Sequence, residues 1–367
     1  MSKIQFPNLN GLRFIAASIV IIHHVEQFKK FFGYSNYSSV TFVELIGKTG
    51  VTLFFVLSGF LITYLLLVEE KVKGKIAIKQ FYIRRALRIW PLYFCIVLLS
   101  FFILPKIPFL HIPFFSAQLQ EHFWVKLALY VFFLPNLALG LYPIVPFASQ
   151  SWSVGYEEQF YLIWPLLIKR IKNKNYIFFT IIIAFILIKI LALYVFDDYL
   201  RETNHFKTAE VFFSMPSIDC MAIGGAFAYL LFQKRGILAT IFSKSFQVVL
   251  YLMTLGLIFS GTFIPFFNHQ VYSVLFGLII LNLSANPDTV VSLENKTFDY
   301  LGKISYGIYM YHILMVVIVL KTLSYYNIQN VILENLLAVA LTIVIASLSY
   351  KYLEERFIKI KERFAKV

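Results

Sequence analysis

The chain has 367 residues, of which 59% are hydrophobic and 14% are charged. This balance excludes an ordinary soluble globular protein and a disordered chain, because both contain larger polar fractions. Lys and Arg together number 33 against 19 Asp and Glu, which gives a net charge of +14. The basic residues lie in short segments between apolar runs and form no continuous basic face, so the pattern favours membrane topology over nucleic-acid binding.

Ten apolar segments approach the length of about 20 residues that crosses a bilayer as a helix. In chain order they are 12–28, 47–68, 86–104, 151–168, 176–196, 211–232, 246–264, 270–285, 304–323 and 331–350. An eleventh stretch, 123–140, is ambiguous. If it does not cross, basic clusters at 71–88, 169–174 and 351–366 share one side with the N-terminus, which the positive-inside rule makes cytoplasmic. The sequence therefore predicts an all-α, polytopic membrane helix bundle of about ten transmembrane helices with both termini cytoplasmic.

The segment 105–150 then lies on the outer side. It is rich in Pro, Phe and Tyr, and we expect it to lie along the outer interface or dip into it, because Pro interrupts straight helices and aromatic residues favour that depth. No internal repeat is visible. We expect a single transmembrane domain over residues 1–367, with a core of about 7–358 and a short basic cytoplasmic tail at 351–367.

The first apolar span contains two ionisable residues whose spacing is that of one helix face. Such side chains cost about 2.5–3.5 kcal/mol each on insertion scales and generally face a cavity, a partner or a substrate path. Arg13 and His24 are 11 residues apart, which places them on one helix face about 16 Å apart along the axis. His23 is rotated about 80° from Arg13, so His24 is the better candidate. Alternatively, Arg13 reaches the cytoplasmic interface and both histidines bond helix carbonyls.

The third span opens with Arg84, Arg85 and Arg88, in FYIRRALRIWPLYF. Three guanidiniums within about one turn suit a phosphate or pyrophosphate, because Arg offers forked donors and keeps its charge. The alternative is that these residues anchor the helix at the inner membrane edge and set its topology.

The fourth span carries two adjacent carboxylates, Glu157 and Glu158, about two turns after its start. We expect them in the outer half of the bilayer. Because adjacent side chains point about 100° apart, at least one should find a polar cavity or a basic partner. A structural pair with an Arg or His of another helix is the alternative.

Four further residues within spans are expected to bind substrate or to hold the bundle together. They are Ser151 and Trp152 at the start of the fourth span, Asp219 beside a pair of glycines, and His312 in the penultimate span. The spacing of the remaining histidines is not typical of a metal site, so no metal is expected.

Seven motifs appear in an order that resembles the acyltransferase 3 family of integral-membrane acyltransferases. They run from near residue 7 to about residue 358: LNGLRFIAASIVIIHH, GVTLFFVLSGFLIT, FYIRRALRIWPLYF, SWSVGYEEQFYLIWPLL, PSIDCMAIGGAFA, YLGKISYGIYMYHIL and YKYLEERF. The resemblance implies ten membrane helices and transfer of an acyl group, usually acetyl, from a cytoplasmic coenzyme A thioester to a hydroxyl on a glycan or another acceptor.

The resemblance also implies roles for particular residues. Family members rely on an Arg and a His eleven residues apart in the first helix, which match Arg13 and His24, and on an arginine cluster at the start of the third helix. The last motif departs from the family, which commonly has Glu-x-Pro-Phe where this chain has Glu354, Glu355, Arg356 and Phe357. This departure puts the contribution of the tail in doubt. No soluble hydrolase-like domain follows, so we expect any second step to come from another protein.

These observations lead to a mechanistic hypothesis for an O-acyltransferase that uses acetyl-CoA as donor co-substrate. Arg84, Arg85 and Arg88 hold the phosphates of acyl-CoA, and the pantetheine arm follows the face of Arg13 and His24. His24 removes a proton from the acceptor hydroxyl or accepts the acyl group itself. Arg13 is a candidate to stabilise the thioester oxyanion or a phosphate, and Glu157 or Glu158 to orient the imidazole or bind the acceptor.

Two other function classes stay open at this stage. In a transporter or flippase of a glycan or lipid-linked substrate, the intramembrane ionisable residues line a permeation path and no bond is made. In a scaffold, the chain assembles with other envelope-biosynthesis proteins. The abundance of Lys, Ile, Asn and Phe suggests an AT-rich genome, so we expect the bilayer to be a bacterial cytoplasmic (inner) membrane.

Overall fold

The computed structural model describes residues 6–203 and 206–364. Within these ranges the regular structure is helical, without β-strands, which confirms the predicted all-α class. The extreme ends of the predicted domain 1–367 and of its tail 351–367 lie outside the described residues.

The α-helices are numbered here in chain order. They are α1 (Leu9–Phe31), α2 (Thr41–Lys73), α3 (Ile78–Leu98), α4 (Phe115–Gln118), α5 (Phe123–Val131), α6 (Pro135–Leu141), α7 (Trp152–Arg170), α8 (Lys174–Ile190), α9 (Asp197–Glu202), α10 (Phe206–Phe213), α11 (Ile218–Phe232), α12 (Ile237–Ile241), α13 (Lys244–Phe259), α14 (Asn268–Ala285), α15 (Lys296–Lys303), α16 (Ser305–Tyr325), α17 (Val331–Ser349) and α18 (Glu355–Glu362). Three π-helical turns, Leu99–Ile103, Leu191–Val195 and Tyr350–Glu354, follow α3, α8 and α17.

Six helical stretches in the described part of the chain are long and apolar enough to cross a membrane. They are Thr41–Lys73, Ile78–Lys106, Lys174–Val195, Phe206–Phe232, Ser305–Tyr325 and Val331–Lys361. α1 has 23 residues but carries Arg13, Glu26, Lys29 and Lys30, so its charges lower its hydropathy. The chain is therefore a helical membrane bundle, and the count of about ten spans stays a prediction.

Residue contacts give the directions of the central helices. The lower end of the bundle is defined here as the end where α1 begins and α2 ends. α2 is antiparallel to α1, since Gly47 faces His23 while Gly50 faces Val20. α16 runs upward like α1. Its first residue, Ser305, lies three residues after Gly302, which packs on Asn10 near the lower end. Farther along α16, His312 lies beside His24.

α3 and α7 are antiparallel neighbours. The Tyr82 hydroxyl donates to the Leu162 carbonyl at 2.7 Å, and the Trp90 indole donates to Glu158 at 3.0 Å. α3 rises from the lower end and α7 descends toward it, so the intervening segment leaves and rejoins the bundle at the same end. This segment contains the short helices α4, α5 and α6 and exposes large aromatic side chains, including Phe114, Trp124 and Phe132.

Two glycines bring the backbones of α2 and α11 together in the core. A Cβ atom at Gly59 would lie 1.9 Å from the Met221 carbonyl oxygen, and one at Gly224 would lie 2.1 Å from that of Val56. Small residues permit such close approach of membrane helices, where packing and not hydrophobic burial drives association.

Candidate active site

Two imidazole rings from different helices meet inside the bundle. His24 of α1 and His312 of α16 have ring centroids 4.7 Å apart, and His312 is fully buried. His24 Nδ1 lies 2.8 Å from the Val20 carbonyl oxygen, and His312 Nδ1 lies 2.5 Å from that of Tyr309. His312 Nε2 lies 3.3 Å from His24 Nδ1. The fold thus pairs two histidines that lie far apart in the sequence.

The carbonyl contacts define where the protons sit on the neutral rings. A carbonyl oxygen only accepts hydrogen bonds, so each Nδ1 atom donates, to Val20 in one ring and to Tyr309 in the other. His312 Nε2 then has a lone pair that faces the His24 Nδ1 proton. His24 Nε2 is left with a lone pair of its own, and this is the tautomer that can take a proton from a hydroxyl or attack a carbonyl carbon.

The adjacent histidine has a separate partner. His23 Nδ1 lies 2.8 Å from the Val43 carbonyl oxygen, and its ring packs where Gly47 of α2 leaves space. Both histidines therefore bond carbonyls, as the alternative interpretation of the sequence allowed. His24 also contacts the His312 ring of α16, whereas the charged neighbours of His23 are Lys48 and Glu44 of α2.

Arg13 lies below His24 among other charged side chains. Its Nη1 atom donates to Asn10 Oδ1 at 3.0 Å. The charges of Arg85, Arg88 and Glu157 are close enough to act on the Arg13 guanidinium. Arg13 is half-buried and turned toward α3 and α7, so it belongs to an interior cluster.

Arg84 is separated from this cluster by its contacts. It donates through Nη1 to the Phe364 carbonyl at 3.0 Å and pairs through Nη2 with Glu69 at 3.5 Å. These bonds tie the start of α3 to the end of α2 and to the segment after α18. The three arginines are close together in the sequence. In the structure, Arg84 instead bonds Phe364 and Glu69 at the edge of the bundle.

Arg85 and Arg88 lie closer to the interior. The Arg85 guanidinium lies 5.6 Å from the Phe81 ring centroid and 5.5 Å from that of Tyr161, and its Nε atom is buried without a protein partner. Arg88 Nη2 donates to the Lys303 carbonyl at 3.4 Å.

The interior arginines are left without close carboxylate partners. Among the ion pairs of the described residues, none joins Arg13, Arg85 or Arg88 to a carboxylate within 4.0 Å. Partly buried cations need compensation, so this cluster suits an anionic group of a substrate.

Glu157 belongs to a chain of hydroxyl groups. Its Oε2 atom accepts from the Tyr161 hydroxyl at 3.1 Å, and that hydroxyl lies 2.5 Å from Ser58 Oγ of α2. Glu158 accepts from Trp90 and has a buried Oε1 atom without a protein partner. Neither the Tyr161 hydroxyl nor Ser58 was identified from the sequence, because single hydroxyl residues in apolar runs carry no distinctive pattern.

Glu157 and Glu158 lie inside the bundle, and their position in the outer half of the bilayer stays a prediction. The turn before α7, Ser149–Ser151, is itself inside the protein, where Gln150 donates to the Met310 carbonyl in α16 at 2.6 Å. α7 therefore begins within the bundle, and its carboxylates lie beside Trp90 and the Arg85 and Arg13 charges. Their described hydrogen bonds do not include His24, so the structure offers no support for a carboxylate that orients the imidazole.

Glu354 is a buried acid that the departure from the family motif had discounted. It is 3% exposed and lies in the π-helical turn after α17. Its Oε1 atom accepts from Ser349 at 3.4 Å, its Oε2 atom has no protein partner, and the Arg88 charge acts on it. The tail therefore places a buried carboxylate within electrostatic range of Arg88.

The remaining predicted residues occupy different surroundings. Ser151 is fully buried with an unpartnered hydroxyl oxygen, and the Trp152 ring lies edge-on to Phe55. Asp219 accepts hydrogen bonds from Ser217 at 2.8 Å and from Gln270 at 2.5 Å, and so joins α11 to α14. These contacts favour a structural role for Asp219. In the part of the chain that the structure describes, no group of three or more His, Cys, Asp or Glu residues could hold a metal ion.

Comparison with known proteins gives the family. The family model of the acyltransferase 3 domain, described as an acyltransferase domain, matches residues 6–351. The chain belongs to the acyltransferase 3 family. No solved structure matches it.

The chain is similar to two curated O-acetyltransferases. It is 24% identical to peptidoglycan O-acetyltransferase OatA of Listeria monocytogenes over 96% of this chain and 56% of the relative. It is 28% identical to O-acetyltransferase OatA of Staphylococcus aureus over 95% of this chain and 56% of the relative. The chain thus spans about half the length of these relatives.

Proposed function

We propose that this acyltransferase 3 family member is a membrane-embedded O-acyltransferase that moves an acetyl group from cytoplasmic acetyl-CoA to a hydroxyl of an envelope glycan. The observation that carries the proposal is the arrangement of α1, which presents His24, with a free Nε2 lone pair, above Arg13 and the arginines of α3. The names of the relatives support acetyl as the group and a glycan such as peptidoglycan as the acceptor.

The arginine cluster suits the phosphates of the donor. Arg13, Arg85 and Arg88 bring three guanidiniums together from two helices, and forked donors of this kind bind phosphate oxygens well. Arg13 is about 16 Å below His24 along α1, too far to stabilise an oxyanion formed beside that imidazole. We therefore assign Arg13 to the phosphates. The extended pantetheine arm spans the distance between the arginine cluster and His24.

His24 performs the proton transfer in this scheme. Its Nε2 atom takes the proton of the acceptor hydroxyl, and the oxygen attacks the thioester carbonyl carbon. A C–O bond forms, the C–S bond breaks, and the thiolate of CoA leaves and takes up the proton from His24. In a second route Nε2 attacks the carbonyl carbon first, an N–C bond forms and CoA leaves as its thiolate. The acceptor oxygen then attacks the acyl carbon, the N–C bond breaks, and the hydroxyl proton passes to the thiolate. Both routes need the same lone pair.

The topology proposed from the sequence is compatible with the helix directions. With ten crossings and both termini in the cytoplasm, α1 and α16 run outward while α2, α3 and α7 alternate as down, up and down. The antiparallel contact of α3 with α7 fits an external segment 105–150 that makes no net crossing. We place the single domain in a bacterial cytoplasmic membrane, because the abundance of Lys, Ile, Asn and Phe suggests an AT-rich genome.

The first test is covalent transfer of label to glycan. Membranes that contain the wild-type chain are given acetyl-CoA labelled in the acetyl group, and envelope glycans are assayed for label. We expect His24→Asn to abolish transfer, because an amide retains an N–H for the Val20 carbonyl but has no basic nitrogen. The matched control His23→Asn removes the neighbouring imidazole and should retain transfer.

Each result of this test decides between the function classes. Transfer that needs His24 establishes the enzyme. A transporter or flippase would produce no new covalent bond, and retained transfer in His24→Asn would contradict the assigned role of the imidazole.

A further inference from the structure

A short helix at the lower end packs directly against the start of α1. A Cβ atom at Gly302 of α15 would lie 2.3 Å from the Asn10 carbonyl oxygen, so the two backbones touch. The Asn295 side chain caps the helix by accepting from the Phe298 amide at 2.8 Å. The contact between Gly302 and Asn10 fixes α15 beside the first turns of α1, where Arg13 lies.

A continuous chain of polar contacts runs from α15 to Arg13. Lys303 Nζ lies 2.5 Å from Asp299 Oδ2, Asn10 Nδ2 donates to Asp299 Oδ1 at 2.6 Å, and Arg13 Nη1 donates to Asn10 Oδ1 at 3.0 Å. Lys303, through its hydrogen bond, together with Asn10, holds the pKa of the Asp299 carboxyl below its usual value. Asp299 is therefore an anion at neutral pH.

Asp299 and Arg13 together set the orientation of the Asn10 amide. A carboxylate only accepts, so it binds the NH2 group of Asn10 and leaves the amide oxygen for the Arg13 guanidinium. The Arg13 guanidinium only donates, so it holds the amide oxygen from the other side, and both neighbours set the same orientation. The same helix also touches the second interior arginine, because the Lys303 carbonyl accepts from Arg88 at 3.4 Å.

We propose that Asn10 and Asp299 are positioning residues that hold the Arg13 guanidinium ready for the phosphates of the acyl donor. The inference rests on the proposed function and deepens it by assigning a role in donor binding to a helix outside the apolar spans. Arg13 has a long side chain whose ordering costs rotamer freedom. Holding it before the donor arrives removes that cost from binding, and so raises affinity.

The decisive experiment measures the KM for acetyl-CoA in the glycan-transfer assay. Asp299→Asn should raise this KM by about tenfold, as expected when the charged acceptor of the Asn10 hydrogen bond is replaced by a neutral one, with kcat unchanged. Asn10→Asp alone sets two carboxylates against each other and should raise the KM as well. The double variant Asn10→Asp with Asp299→Asn exchanges the two groups, so that the new carboxylate at position 10 accepts from Arg13 and from the new amide at position 299.

The double variant separates positioning from a purely structural role. If the chain of contacts positions Arg13, the exchange should bring the KM back toward the wild-type value. A structural role would instead lower the amount of folded protein and leave the KM of the remaining molecules unchanged. The control Glu294→Gln removes an exposed carboxylate just before α15 and should leave both constants unchanged.

Failure of the inference is distinguishable from failure of the proposed function. Binding of CoA alone is measured as thermal stabilisation of the purified protein. If CoA does not stabilise the wild type and no label is transferred, the proposed function fails. If the wild type binds and transfers, but Asp299→Asn has the wild-type KM, the positioning role is wrong.

Discussion

His24 and His312 illustrate how one residue can depend on another for its chemistry. The His312 Nε2 atom faces the His24 Nδ1 proton as an acceptor. The His312 ring is itself held by its hydrogen bond to the Tyr309 carbonyl. We expect His312→Ala to lower kcat by about 10- to 100-fold, because a catalytic group displaced by about 1 Å loses about that much. The KM for acetyl-CoA should stay the same, since the arginine cluster is untouched. The measurement is steady-state transfer kinetics on purified protein.

A second buried histidine provides the control for this substitution. His269 of α14 bonds Thr52 and the Ser214 carbonyl, outside the proposed site. His269→Ala should lower thermal stability while kcat per folded molecule stays near the wild-type value. Equal losses of kcat in both variants would contradict a specific role for His312.

The sequence predicted candidate site residues better than it predicted which residues contact them. The spacing of Arg13 and His24 predicted a shared helix face because both lie on one regular helix. Pairing of His24 with His312 was not predictable, since it depends on how α1 packs against a helix far along the chain. Arg84 shares a turn with Arg85 and Arg88 in the sequence, but its contacts with Glu69 and Phe364 set it apart, and its role in donor binding stays a prediction.

At the scale of elements, the contact of α2 with α11 depends on glycine. Gly59→Ala would place a methyl group 1.9 Å from the Met221 carbonyl, so one helix must shift. Overpacking of this kind costs about 1–3 kcal/mol, and we expect a lower thermal unfolding temperature for the purified protein. Gly256→Ala in α13 is the matched control, because no atom lies within 4 Å of its Cβ position and alanine favours helix by about 1 kcal/mol. A Gly59→Ala protein as stable as the control would refute the close-packing argument.

The sequence predicted the positions of helices where the apolar composition is uniform. It missed the places where an α-helix continues as a π-helical turn. Apolar length indicated α2, α8, α16 and α17 well, because a membrane helix must satisfy its backbone internally over the whole span. The π-helical turn Tyr350–Glu354 left no signal in composition, yet it places the Glu354 carboxylate inside the protein. Such turns often occur at functional sites, whereas the departure from the family motif puts the contribution of this tail in doubt.

For the whole molecule, the direction of each helix follows from whether residues 105–150 cross the membrane. Charge distribution predicts no net crossing, and the antiparallel contact of α3 with α7 is compatible with this prediction. The sequence could reach this conclusion because loop charge reflects topology. It could not show that α7 begins deep inside the bundle, since that depends on the buried turn at Ser149–Ser151.

Cysteine labelling tests this topology directly. In a chain whose two native cysteines, Cys95 and Cys220, are replaced by Ala, single cysteines are introduced as Gln120→Cys, between α4 and α5, and Lys172→Cys, between α7 and α8. Both positions are exposed. An impermeant maleimide should label the first in intact cells and the second only after the membrane is opened, because α7 alone then separates them. Tyr37→Cys, which is exposed and on the predicted outer side under either count, is the positive control. If residues 123–140 crossed as well, two crossings would separate positions 120 and 172, and both would be labelled from the same side.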